Sequence, residues 1–195
     1  MTNPPRHDIA GTELSPEERE GLIPSYITLR AELNDAEQSN INKGINWAER
    51  RRSKDVLDEA FLRELHERMY GNVWSWAGTY RKTGKNIGVD AYRIGTDLNQ
   101  LLEDVRFQID NDSYPPDEIA ARFHHRLVQI HCFPNGNGRH ARVATDLLLE
   151  QLERAPFSWG DADLVDEGEV RSRYIAALQA ADHHDYGPLL AFVRS

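Results

Sequence analysis

The stretch His131-Cys132-Phe133-Pro134-Asn135-Gly136-Asn137-Gly138-Arg139-His140-Ala141-Arg142 decides how the chain is read. An apolar run leads into it through Ile119, Phe123, Leu127 and Ile130, and a second leaves it through Val143, Leu147 and Leu148. Both runs have helical spacing, so the stretch is a short loop between two helices. Gly136 and Gly138 leave backbone N–H groups unobstructed where the second helix begins. Bare amides at a helix N-terminus, beside Arg139 and Arg142, suit a polyphosphate. His131 adds a base that titrates near neutrality. Together these residues point to chemistry on a phosphate-bearing substrate.

Each residue also has a plainer reading. His131 suits a helix C-terminus as a cap as well as it suits a base. Phe133 is flanked by small or polar residues and has to bury its ring somewhere. Asn137 fits a turn, and its amide, held between two glycines, can also donate to a ligand oxygen. Two arginines in a first helical turn oppose the dipole, which an anionic ligand explains. Cys132 has no third group to orient it with His131, so it is not read as a nucleophile. His124, His125, His183 and His184 form two adjacent pairs that diverge on a helix, with no carboxylate or cysteine pattern to complete a metal site. They read as solvated or partly packed.

Composition narrows the setting. The chain has 195 residues, the length of a single domain with a real core. Its 32 acidic and 23 basic residues give a net charge of −9, which opposes direct nucleic-acid or anionic-membrane binding. One cysteine rules out an intrachain disulfide and fits a reducing compartment. No apolar leader or membrane-length run is seen, so a cytoplasmic protein is expected.

The expected architecture is all-α with one small β-hairpin. Residues 1–14 read as a flexible tail, and 15–195 as the folded domain. Ser15-Pro16-Glu17-Glu18 forms a capping box for a short turn. Helices are expected from Thr28 to about Arg51, from Asp58 to Gly71, from Thr96 past Ile109, and from Pro115-Pro116 to His131. Three more follow: the helix after the motif to about Glu153, one over about 168–182, and a short one from Gly187-Pro188. Glycines at 71, 78, 84, 88 and 95 punctuate two extended pieces, Thr79–Lys82 and Asn86–Val89, consistent with a hairpin.

The loop resembles the Fic motif, His-x-Phe-x-acidic-Gly-Asn-Gly-Arg-x-x-Arg. His131, Phe133, Gly136, Asn137, Gly138, Arg139 and Arg142 match, a specific agreement within twelve residues. Asn135 stands where an acidic magnesium ligand is usual, and Cys132 where proline is common. Leu33-Asn34-Asp35-Ala36-Glu37, Trp74-Ser75-Trp76-Ala77-Gly78-Thr79 and His124-His125-Arg126-Leu127-Val128 are similar to the branch called mobile mystery protein B.

The resemblance implies a Fic fold, with 15–195 a single Fic domain whose core motif is 131–142 and whose hairpin flap overhangs the active site. It implies a protein adenylyltransferase that moves AMP from ATP, with Mg2+, to a Ser, Thr or Tyr hydroxyl of a target protein. His131 would be the base; Gly136, Asn137, Gly138 and Arg139 would hold the α- and β-phosphates; Arg142 would orient the leaving end. Asn135 would offer a metal only a neutral carbonyl. In the flap, Lys85, Ile87 and Val89 would dock the target, with Lys82 and Lys85 steering an acidic one. Arg81, Lys82, Lys85 and Arg93 also read simply as a solvated loop.

Many relatives carry an inhibitory Ser/Thr-x-x-x-Glu helix whose glutamate pairs with the second motif arginine. Ser39-Asn40-Ile41-Asn42-Lys43-Gly44 keeps the frame but has Lys43, which would repel Arg142. A separate antitoxin-like partner and toxin-like behaviour are then expected; equally, the segment reads as part of a packed helix. Two alternatives remain for the site. One is transfer of another phosphate-containing group, against which the retained Gly138 argues. The other is a non-catalytic nucleotide-binding or interaction module, against which His131 argues.

Overall fold

The structure, a computed structural model, describes residues 20–51, 55–84, 87–161 and 168–195. The expected tail over 1–14, the capping box at Ser15–Glu18 and Lys85 lie outside the described residues. Seven α-helices are described: α1 Arg30–Arg50, α2 Glu59–Tyr70, α3 Ile94–Asp110, α4 Pro116–Ile130, α5 Asn137–Gln151, α6 Glu169–Asp182 and α7 Gly187–Val193. Short 3-10 turns at Ala91–Arg93 and Trp159–Asp161 precede α3 and follow α5. No helix among the described residues is long and apolar enough to cross a membrane. The chain divides into two compact units, residues 1–54 with 63–79, and 55–62 with 80–195.

In the first unit α1 buries Leu33, Ile41 and Ala48 together with Glu37, Asn40 and Gly44. The two buried polar side chains are satisfied. Trp74 Nε1 donates to Glu37 at 2.8 Å, and Asn40 accepts from the Asn72 N–H and donates to the Arg68 carbonyl. The helix starts one residue later than the Thr28 cap predicts. Glu32 accepts from the N–H groups of both Thr28 and Leu29, so the carboxylate of the first turn caps α1 rather than the threonine hydroxyl. An isolated antiparallel bridge pairs Leu22 with Trp74.

The second unit is built around α4, which packs on α3, α5 and α7. Pro116 opens α4, Asp117 and Glu118 complement its dipole, and Asp117 also takes a two-pronged bond from Arg194. Phe123, Leu127 and Ile130 supply its buried stripe. α6 and α7 close a cluster of Tyr174, Ala177, Leu189, Phe192, Phe157 and Trp159 against Ala120, Ala121 and Leu149. α3 begins at Ile94, two residues ahead of Thr96, because the preceding 3-10 turn runs directly into it.

Gly44 marks the tightest approach in the first unit. A Cβ there would lie 2.7 Å from Met69 Cγ and 2.8 Å from Met69 N and Cα. Backbone cannot yield as a flexible side chain does, so Gly44→Ala should destabilise by about 1–3 kcal/mol. Thermal unfolding beside Ser39→Ala, at an exposed position of the same helix, checks this; equal melting temperatures for the two variants would refute the close contact.

Candidate active site

α4 ends on His131, which adopts the left-handed conformation (φ 56°, ψ 61°) with its N–H bonded to the Leu127 carbonyl. The chain turns there and runs through a loop closed by one side chain. Asn137 Oδ1 accepts from the Phe133 N–H and its Nδ2 donates to the Phe133 carbonyl, both at 2.8 Å. Gly136 precedes α5 at φ 78°, a conformation glycine takes without strain. No acidic residue stands in the first turn of α5, where Asn137, Gly138 and Arg139 present the positive end of the helix. A Cβ on Gly138 would meet only Arg142 Nη1, at 3.8 Å, so packing within the protein does not demand glycine there.

Phe133 is 1% exposed and sits between the rings of Tyr80 and His140, 5.7 and 5.1 Å away. His140 is buried in turn and donates from Nε2 to the Leu62 carbonyl at 2.9 Å. Cys132 is buried and burial pushes its thiol pKa up to about 12, which removes it as a nucleophile. Asn135 is exposed and its Oδ1 accepts from the Gly136 N–H at 2.7 Å.

His131, Asn135, Gly136, Asn137, Gly138, Arg139 and Arg142 all line one cavity of about 690 Å³. Its far wall comes from α4 and α6: Val128, Ile175 and Leu178 are apolar, and Arg171 adds a further cation. His125, Gln129 and Asp182 line the same wall, with Asp182 Oδ1 accepting from Gln129 Nε2 and lying 2.8 Å from His125 Nε2. Sequence reasoning does not find this wall. Its residues sit on a helix whose periodicity reports only the core side.

The segment expected as a β-hairpin flap is built otherwise. No strand is present among the described residues. The Arg81 N–H donates to the Cys132 carbonyl at 3.0 Å and the Val89 N–H to the Ile130 carbonyl at 3.4 Å. Among the described residues these two arm amides therefore bond to Ile130 at the end of α4 and to Cys132 just beyond it. Arg81, read as a solvated cation, is 3% exposed. Its guanidinium donates to the carbonyls of His131 at 2.6 Å, Thr83 at 3.0 Å and Ile130 at 3.3 Å, and also to that of Val89. Ile87 is 62% exposed at the cavity, whereas Val89 has both backbone groups engaged and does not line it. Replacing Arg81 with Met leaves these carbonyls without their shared donor. The Val89 amide should then exchange with solvent at least about tenfold faster, with α7 amides unchanged; hydrogen-exchange mass spectrometry reads this directly.

Burial also sets the protonation of the site. His124 and His140 are 0% and 1% exposed, and desolvation pulls them from 6.5 to about 3 and about 4, with Arg142 adding to the effect at His124. Each is neutral when folded and takes a proton when unfolded, so its contribution to stability is complete above pH 6.5 and lost as pH falls. Asp146 acts oppositely: burial raises its carboxyl from 3.8 to about 6, so the folded state holds that proton more tightly below pH 6. The two histidines favour the unfolded state by up to two protons and Asp146 offsets about one, so stability should fall by about 1.4 kcal/mol per pH unit between about pH 6 and pH 5. Urea unfolding across this range checks the slope, and His140→Gln should bring it close to zero, because Asp146 then offsets the one histidine left.

Residues 56–149 match the model of the Fic/DOC family. A protein adenylyltransferase Fic of Nematostella vectensis is 30% identical over 134 residues, covering 67% of this chain and 30% of that protein. The chain thus corresponds to under a third of that relative's length. The N-terminal FIC domain of the Bep8 protein of Bartonella sp. 1-1C superimposes with a TM-score of 0.70 at 16% identity, covering 91% of this chain and 95% of that one. The BepC protein of Bartonella tribocorum, solved with bound AMPPNP, gives a TM-score of 0.66 at 17% identity, with 90% and 95% covered. The helical order and the loop between α4 and α5 agree with that fold, and the chain belongs to the Fic/DOC family.

Proposed function

We propose that the cavity binds ATP and that the protein transfers AMP to a Ser, Thr or Tyr hydroxyl of another protein. One observation carries the reading: a histidine, the amide-bearing start of a helix, two arginines and an apolar wall all border a single cavity of about 690 Å³. That volume is of the size that nucleotide-like ligands fill. The adenylyltransferase name of the Nematostella relative and the AMPPNP held by BepC support it.

In this reading the backbone of Gly136, Asn137, Gly138 and Arg139 holds the α- and β-phosphates, and the bare Cα of Gly138 lets an oxygen approach its amide. Arg142 meets the leaving end. The target hydroxyl attacks the α-phosphorus as His131 takes its proton, and the bond to the β-phosphate oxygen breaks to release pyrophosphate. Asn137, whose amide is occupied by Phe133, serves chiefly to hold the loop in place. Val128, Ile175 and Leu178 offer apolar surface for the base. Ile87, exposed at the cavity, is the described flap residue best placed to touch the target.

Magnesium does not fit the residues themselves. The loop from His131 to Arg142 contains no carboxylate, and no cluster of three metal-ligating side chains occurs among the described residues. Asn135 offers one neutral oxygen, already accepting from Gly136. Any cation would be carried by the phosphates and water, so metal dependence is weaker than in relatives with an acidic residue there. Control by a separate inhibitory protein belongs to the same proposal. Lys43, exposed on α1, takes the place in the Ser39–Gly44 frame that a glutamate holds in the inhibitory motif.

Incubation with α-labelled ATP and a cell lysate should label protein, and His131→Ala should abolish the label. Asn135→Asp or Asn135→Glu should raise the rate in Mg2+ several-fold by adding a charged ligand. No label from wild type and no effect of His131→Ala would defeat the transferase reading.

A further inference from the structure

Three consecutive carbonyls, those of Ile130, His131 and Cys132, all accept from residues 81–89. Ile130 accepts from the Val89 N–H at 3.4 Å and from Arg81 Nη2 at 3.3 Å. His131 accepts from Arg81 Nε at 2.6 Å, and Cys132 from the Arg81 N–H at 3.0 Å. Arg81 thus touches all three, and its guanidinium also reaches back to Thr83 and Val89 in its own segment. A cation is favoured at a helix C-terminus, where the last carbonyls lack intrahelical partners. That accounts for the bond to Ile130, the last residue of α4. It does not account for the bonds to His131 and Cys132, which lie beyond the helix.

Those two bonds act on the geometry of one residue. The direction of a Cα–Cβ bond follows from the φ and ψ around it. At His131 the N–H is tied to Leu127 and the carbonyl to Arg81, and the carbonyls on either side are held as well. Both dihedrals are therefore fixed, at values (56°, 61°) that a residue with a Cβ rarely takes. Gly88 closes the remaining side. At φ 100°, a Cβ built on it would lie 2.7 Å from both His131 Cβ and Arg81 Nη2. The flap backbone passes directly against the root of the imidazole, which only glycine permits.

We propose that Arg81 is a positioning residue for the transfer: by holding the carbonyls of residues 130–132 it aims the His131 imidazole into the cavity and ties that aim to the flap. The inference rests on the reading of His131 as the base and adds the group that places it. A general base works only within hydrogen-bond reach of the proton it takes, so its placement bears on turnover more than on nucleotide binding. The guanidinium suits the task because its donors are fixed in one plane, whereas an ammonium turns freely on its stem.

Arg81→Lys keeps the charge and loses the fork. In the purified full chain, calorimetry should give an ATP affinity within about twofold of wild type, while labelling of protein at saturating α-labelled ATP falls on the order of 100-fold, the scale of a group misplaced by about 1 Å. Gly88→Ala leaves Arg81 in place but drives a methyl group against His131 Cβ, and should show the same split. Val105→Ala, in the buried face of α3, lowers the melting temperature through packing alone; where every variant is still folded it should label as wild type does. Spectra of 13C-labelled histidine need no turnover: the His131 ring signal should shift or broaden in Arg81→Lys, with that of His124, buried on α4, unchanged. A wild-type labelling rate in Arg81→Lys, or an unmoved His131 signal, overturns the positioning role. So does a loss of ATP binding as large as the loss of rate. A wild-type chain that labels no protein defeats the transferase reading instead, and the His131 signal still decides whether Arg81 holds the histidine.

Discussion

The two hydrogen bonds between the Asn137 amide and the main chain of Phe133 are the constraint on which the site depends. They close the loop from both sides, using one donor and one acceptor that the turn would otherwise expose. With Phe133 and Asn137 locked together, the start of α5 has one direction, and its unneutralised N-terminal end faces the cavity. The same clamp carries the ring of Phe133 into the packing between Tyr80 and His140. A loop of this length with a non-glycine residue in the left-handed region stores strain of about 1 kcal/mol or more at His131. The strain persists because the surroundings over-determine the turn. The His131 N–H is tied to α4, its carbonyl to Arg81, and the next carbonyl to the Arg81 main chain.

Arg81 explains how the described arms of a segment patterned like a hairpin are held. Two short extended pieces separated by glycine normally satisfy their backbone by pairing with each other. Here a single buried guanidinium supplies fixed donors to carbonyls on both arms and on the end of α4. Two N–H groups of the arms, those of Arg81 and Val89, bond in turn to Cys132 and Ile130. The fork geometry of arginine makes this possible, and lysine at the same place would reach fewer carbonyls. The result is a flap anchored at the histidine it borders, with Ile87 and Gly88 at the cavity edge.

What the sequence discloses follows the range of the interactions. α4, α5 and the loop are legible because their cues lie within a few residues: apolar spacing, a Pro-Pro start, glycines at the turn. The Asn137 clamp spans four residues, and even so its residue type alone leaves turn and ligand roles equally open. Buried polar partners are far less legible. His140 meets Leu62, 78 residues away, and His124 meets Tyr174, 50 residues away. Nothing local distinguishes such a histidine from a solvated one. The divergence of His124 and His125 is correctly read from adjacency, and one turns to Tyr174 while the other turns to Asp182. Their solvation is not: both are buried, because α4 is covered on more than one side.

The choice of partners around Arg142 is itself informative. A carboxylate in contact with a guanidinium is the strongest ordinary way to hold it, yet it would compete with a phosphate for the same donors. Asp146 stands one helical turn beyond Arg142, and its carboxyl accepts instead from Trp159 Nε1 and the Phe157 N–H. The charge of Arg142 still reaches that carboxyl through space, against the larger effect of burial, which raises it to about 6. Burial keeps His124 uncharged, so it adds no second positive charge against Arg142 at working pH. The start of α5, with no acid in its first turn, thus borders the cavity together with Arg139 and Arg142. A site that had only to be stable would pair Arg142 with an acid; one that receives an anion gains by keeping that acid bonded elsewhere, as Asp146 is to Trp159 and Phe157.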